Sequence, residues 1–75
     1  PNLALFVPNN NPLLFYKKIA ELAFTSLSKN GLLFFEINER FGKQTVDILN
    51  AIGFVDIELK KDINEKDRMI KATKN

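Results

Sequence analysis

Residues Gly31–Asn38 read GLLFFEIN, and the four consecutive large apolar residues Leu32, Leu33, Phe34 and Phe35 decide the fold class. A strand with one wet face alternates apolar and polar side chains. An unbroken apolar run suits a strand covered on both faces, as in parallel sheets. The run follows a helix stop at Asn30–Gly31 and precedes a polar turn, so Leu32–Ile37 is predicted to be the central strand of an α/β layer. Glu36 then puts a carboxylate at the far end of the element expected to be most buried. A buried carboxylate is costly unless it is paired or hydrogen-bonded, so Glu36 is the residue of this strand that asks for a functional explanation.

Upstream of the strand, Asn11 suits a helix N-cap and Pro12 suits the first helical turn. From there to Lys29 the pattern is helical. Placed at steps of about 100°, Phe15, Tyr16, Ile19, Ala20, Leu22, Ala23, Phe24 and Leu27 fill an arc of roughly 200°. That is wider than one surface covers, so this helix needs a sheet beneath it and a second neighbour beside it. Gly31 is expected to end it in the left-handed C′ role. Further upstream, Leu3–Val7 is a short apolar run stopped by Pro8, an edge strand or an extended entry segment.

Downstream, Asn38–Gly42 turns the chain into a second helix, about Phe41 to Ile52. Phe41, Thr45, Ile48, Leu49 and Ile52 lie on one stripe of it, and Gly53 supplies the stop signal. Val55, Ile57 and Leu59 then alternate with Asp56, Glu58 and Lys60, which predicts a strand over Val55–Lys61 with one dry face. A strand–helix–strand unit makes it parallel to Leu32–Ile37 through a right-handed crossover. Asp62–Asp67 reads as a polar loop and Arg68–Lys74 as a last strand, antiparallel to the one before.

The totals narrow the function classes. Seventy-five residues make one domain at most, and a chain of that length buries only about 60% of the surface it exposes when unfolded. Cysteine is absent, so no disulfide or thiolate metal site compensates. Histidine is absent too, which removes the usual general base and the commonest metal ligand. A net charge of +2 is too weak a balance to argue for nucleic acid. There is no apolar stretch near the ~20 residues of a membrane span and no signal-peptide pattern. The sequence does not begin with Met, and the expectation is a piece of something longer, soluble and cytoplasmic.

Few residues carry chemistry. The three glycines stand alone at turns, so no phosphate-cradling loop is present. Lys60, Lys61, Lys66, Arg68, Lys71 and Lys74 form a basic tail, but Asp56, Glu58, Asp62, Glu65 and Asp67 are interleaved with them, as in a solvated hairpin. Asp67 and Arg68 could pair locally, a contact worth ~0–1 kcal/mol when exposed. Glu36 admits two readings. It escapes to water or pairs with Arg40, or it serves a ligand, because open α/β sheets bind ligands beyond the carboxyl ends of their strands. A carboxylate there accepts hydrogen bonds from an amide or amine. Asn38 and Glu39 share the same rim.

Taken in order, P-x-x-A-L (Pro1, Ala4, Leu5), N-P-L-x-x-Y (Asn11 to Tyr16), G-x-L-x-x-E-I (Gly31, Leu33, Glu36, Ile37), G-F-x-D-I (Gly53 to Ile57) and D-x-x-x-x-D-R (Asp62, Asp67, Arg68) resemble the C-terminal part of the HemK-like methyltransferases. These are the release factor (glutamine-N5) methyltransferases, and the likeness covers essentially the whole chain. It implies a class I S-adenosylmethionine-dependent methyltransferase fold, a mostly parallel seven-stranded sheet with helices on both faces. Its last strand is antiparallel and inserted between the fifth and sixth. Leu32–Ile37 would be strand five, Val55–Lys61 strand six and Arg68–Lys74 strand seven, so residues 1–75 would be the C-terminal part of the catalytic domain.

The family methylates the side-chain amide of the Gln in the GGQ tip of peptide chain release factors. Its cofactor loop and its NPPY substrate motif lie upstream of the matched part, and Pro8–Asn9–Asn10 is not that motif. The resemblance assigns no catalytic, cofactor-binding or metal residue to this segment. It places Glu36 beside the substrate amide, as a substrate-binding group that orients rather than abstracts a proton. Three positions depart from the pattern: Asn38 where Gly is usual, Phe41 where Gln is common, and Glu65 where the hairpin usually carries Gly. The first and third bear on turn geometry, since Asn tolerates left-handed backbone well.

Two rivals remain from other classes. One is a free-standing α/β interaction module without catalysis, which the over-wide apolar arc of the first helix argues against. The other, a nucleic-acid binder, rests on a pI near 9.1 and the basic tail. A segment cut before strand five also exposes an apolar sheet edge. It is therefore expected to self-associate through Leu32–Ile37 or through the first helix, and to be inactive alone.

Overall fold

The computed structural model describes residues 11–75. The expected Leu3–Val7 strand and the Pro1, Ala4 and Leu5 positions lie outside the described residues. Helix α1 (Pro12–Ser26) leads into strand β1 (Leu32–Glu36). A 3-10 turn (Glu39–Phe41) opens helix α2 (Gly42–Ile52), and strands β2 (Phe54–Lys61) and β3 (Asp67–Lys74) form a closing hairpin.

Local chemistry starts and stops each helix. The Asn11 Oδ1 accepts from the Leu14 N–H at 3.2 Å, and Pro12, which has no N–H to satisfy, occupies the first turn. The helix stops at Ser26, three residues short of the expected Lys29. Leu27 is extended at φ −80, ψ 144, and a turn closes from the Gly31 N–H to the Ser28 carbonyl at 2.9 Å. Asn30, at φ 69, rather than Gly31, takes the left-handed position. Gly31 is required for a different reason: a Cβ there would sit 2.9 Å from the Ser28 carbonyl oxygen and 3.2 Å from the Leu27 side chain. Gly53 does act as the expected stop, at φ 121, with its N–H on the Leu49 carbonyl.

The sheet order is β1–β3–β2, with β3 antiparallel to both neighbours. β1 and β2 therefore run in one direction, as the strand–helix–strand unit requires, but β3 lies between them. This corrects the expectation that Leu32–Ile37 is central: among the described residues β1 is an edge, and the middle strand is the last one. A hairpin partner inserts without a long crossover, and β3 is the less apolar but more deeply covered strand. Its Ile70 and Ala72 are fully buried.

Both helices cover one face of this sheet. Tyr16 and Ala20 of α1 and Leu49 of α2 form the core with Ile37, Phe54, Ile70 and Ala72, and Leu33, Phe35, Ile57 and Leu59 pack against it. Thr45 is buried on the same stripe, its hydroxyl donating to the Phe41 carbonyl at 2.7 Å. The opposite face is open among the described residues. There Leu32 and Phe34 stand 47% and 51% exposed, so the expected two-sided cover of β1 is present on one side. The wide apolar arc of α1 is likewise only partly used, with Leu22 65% exposed.

β2 departs from the simple alternation. Phe54 is buried and Val55 is partly exposed, although Val55 was expected on the dry face. Asp56 adopts φ 50, and the pairing with β3 shifts between Val55 and Glu58. This bulge inserts an extra residue, so the inward phase passes from Phe54 to Ile57 and Leu59.

Candidate functional site

The rim beyond β1 is built by four backbone N–H bonds. The Ile37 N–H donates to the Arg68 carbonyl at 3.0 Å, the last rung toward β3. The Asn38 N–H donates to the Tyr16 hydroxyl at 2.9 Å, tying the rim to α1 across 22 positions of sequence. The Arg40 N–H donates to the Asn38 Oδ1 at 3.0 Å, and the Phe41 N–H to the Asn38 carbonyl at 3.0 Å, which starts the 3-10 turn. Asn38 is thus an N-cap with extended backbone, φ −75 and ψ 131. Left-handed tolerance is not what the position demands, because ordinary φ values suffice there.

Glu36, the last residue of β1, lies on the open face and is exposed. This corrects the reading of it as a buried carboxylate: the alternation of β1 turns Leu33 and Phe35 inward and Leu32, Phe34 and Glu36 outward. Nor does it pair with Arg40, whose guanidinium carbon sits 5.9 Å from the centre of the Phe41 ring. Among the described residues Glu36 has no ion-pair partner, whereas Glu39 faces the Lys66 ammonium at 3.5 Å. Asn38 and Glu39 are therefore engaged in the turn and its contact with the hairpin, whereas Glu36 is exposed.

In the sequence Tyr16 stands in the apolar arc and closes the N-P-L-x-x-Y stretch, with no site role attached. It is 3% exposed, packs on Phe35 with ring centres 5.8 Å apart, and its hydroxyl accepts the Asn38 bond. The available signal was chemical: a tyrosine on the buried side of a helix carries a hydroxyl that must find a partner.

The basic tail is a solvated hairpin, as its composition suggests. Lys61 pairs with Asp67 at 3.0 Å, Arg68 with Asp62 at 2.8 Å and Lys71 with Glu58 at 3.5 Å. The expected Asp67–Arg68 pair does not form, because neighbours in a strand point to opposite faces. Asp62 organises the loop, accepting from the Asn64 and Lys66 N–H groups through Oδ1 and from Arg68 Nε through Oδ2. The Arg68 hydrogen bond, followed by the backbone bond from Lys66, holds the Asp62 carboxyl below the usual carboxylate range, and Asp62 in turn raises Arg68. Among the described residues no acidic cluster could hold a metal ion, and no helix is long and apolar enough to cross a membrane.

Against known proteins, the chain is 58% identical over 72 residues to a release factor glutamine methyltransferase of Flavobacterium psychrophilum, covering 96% of this chain and 25% of the relative. A protein of the same name from Bacteroides thetaiotaomicron is 42% identical over 74 residues, 99% of this chain and 27% of the relative. One from Lactococcus lactis is 40% identical over 72 residues, 93% of this chain and 26% of the relative. The chain is homologous to the C-terminal quarter of the release factor glutamine methyltransferases. It spans about a quarter of the length of the relatives it matches. No family model and no solved structure matches it. Within that homology, the β1–β3–β2 order, with an antiparallel last strand between two others, agrees with the arrangement the family resemblance implies for strands five, seven and six.

Proposed function

We propose that residues 1–75 form the C-terminal part of the catalytic domain of an S-adenosylmethionine-dependent protein methyltransferase of class I fold. Its substrate is the glutamine side-chain amide of a peptide chain release factor. The observation that carries this reading is the homology over nearly the whole chain to relatives bearing that name, joined to a strand end that presents an available carboxylate. The sheet order and the open apolar face support membership of a larger sheet, and they argue against a self-contained interaction module.

Within the domain, Glu36 accepts a hydrogen bond from the amide N–H of the substrate glutamine and fixes its orientation. A carboxylate in this role need not take a proton; its effect is to hold one geometry of a group that otherwise rotates freely. We place the site of the methyl donor, S-adenosylmethionine, outside these residues, a reading supported by the strand-to-helix connection Ile37–Phe41, which carries no glycine. The cofactor belongs to the part of the protein upstream, and the segment alone is inactive on this reading.

The test is Glu36→Ala in the full-length enzyme, assayed for methyl transfer to its release factor. A fall in kcat/KM with the fold intact supports the role, whereas unchanged methylation removes Glu36 from the site. The upstream reading frame gives a second check. A strand followed by a glycine-rich loop and then NPPY supports the enzyme, and an unrelated domain refutes it.

A further inference from the structure

We infer that Tyr16 is a positioning residue for the Glu36 rim: its buried hydroxyl, bonded to the Asn38 N–H, sets where β1 ends and hence where the Glu36 carboxylate is delivered. The inference rests on the proposed role of Glu36 and extends it to a residue on another element.

The geometry is specific to the rim. On one side, the Glu36 backbone is held in the ladder opposite Met69, and the Ile37 N–H is held by Arg68. On the other side, the Asn38 N–H, one residue on, points away from β3, as the alternation of an antiparallel ladder dictates. A backbone donor that points away from the ladder needs another acceptor unless water reaches it, and the Tyr16 hydroxyl at 2.9 Å is that acceptor. Without it, the segment from Asn38 to the 3-10 turn keeps its internal bonds but loses its tie to α1, and the strand end can swing about Ile37.

The Tyr16 ring is itself immobilised. Phe15 meets it edge-on at 6.4 Å between centres and Phe35 lies at 5.8 Å, so the hydroxyl is aimed by packing rather than by a free rotamer. An exposed carboxylate with no partner among the described residues derives its precision only from its backbone. The tie from α1 is what restricts that backbone, in the way a supporting contact orients a functional side chain.

The experiment uses the full-length enzyme with Tyr16→Phe, Glu36→Ala and the double variant. Melting temperature, kcat, KM for the release factor and for the cofactor, and hydrogen exchange at the Asn38 amide are measured for each. Tyr16→Phe keeps the ring and is expected to speed Asn38 exchange and lower kcat roughly fivefold, the effect of one lost hydrogen bond. KM for the cofactor is expected to stay unchanged. In the Glu36→Ala background the same change is expected to cost nothing further, because the group being positioned is gone.

A Tyr16→Phe loss of equal size in both backgrounds marks a merely structural role and overturns the inference, as does full activity of Tyr16→Phe where Glu36→Ala is impaired. An unimpaired Glu36→Ala variant overturns the role of Glu36 itself, and is thereby distinguishable. Should Tyr16→Phe fail to fold, Asn38→Pro removes the same bond from the donor side at a φ proline accepts, with Asn38→Ala as the control for the lost cap. Equal activity of those two then overturns the inference, and a further loss in Asn38→Pro supports it.

Discussion

The hairpin loop offers the sharpest stability experiment. Glu65 holds φ 62, a left-handed backbone that costs an L-residue with a Cβ about 1–2 kcal/mol. Its side chain is exposed and forms no ion pair among the described residues, so substitution forfeits no such contact. Its N–H bond to the Asp62 carboxyl-side backbone, at 3.1 Å to the carbonyl oxygen, survives any replacement but proline. Glu65→Gly removes the left-handed penalty, while the freer unfolded chain returns about 0.4–1 kcal/mol of it. The expected net gain is about 0.5–1 kcal/mol, which for a unit of this size raises Tm by about 2–8 °C. Glu65→Asn, which relieves the backbone without loosening the unfolded chain to the same degree, is expected to match it. Thermal unfolding followed by circular dichroism at matched concentration reads both. Equal or lower Tm in both variants would refute the assignment of strain to this position.

Gly53→Ala tests the opposite sign: at φ 121 its new Cβ meets the Phe24 ring at 3.1 Å, and a loss of about 2–3 kcal/mol is expected from backbone and crowding together, checked by denaturant unfolding. Leu49→Ala empties a site that is fully buried at the centre of the core and is expected to cost about 2–5 kcal/mol in the same assay. Asp62 has its folded pKa below the unfolded value of about 4. Its contribution is complete above that value and is lost as pH falls through the folded one, so Asp62→Asn is expected to flatten the acid limb of Tm against pH. Phe34 and Leu32 stand exposed on the strand that is the sheet edge among the described residues, and we propose that the 75-residue chain self-associates there. Phe34→Lys is expected to shift sedimentation toward monomer, and a wild-type chain already monomeric at high concentration refutes the proposal.

What the sequence by itself determined about this protein is the part set by neighbours along the chain. Asn11 and Pro12 cap α1, Gly53 stops α2, the apolar stripe through Thr45 and Leu49 turns inward, and the interleaved charges of the hairpin pair with one another. Glu36 was legible as a strand-end carboxylate because its place follows from local pattern, and the family resemblance rested on that same ordered spacing. Its exposure was not legible, since a run of four apolar residues does not say which of its two faces is covered. The place of β3 between β1 and β2 came from the family resemblance and not from the pattern of any one segment, and only the tertiary structure decided that the Asp56 bulge moves Val55 off the dry face and that Tyr16 holds Asn38 from another element. Each of these depends on contacts between residues far apart in the chain, where a one-residue slip reverses every facing side chain. Periodicity within a single segment carries no record of such partners.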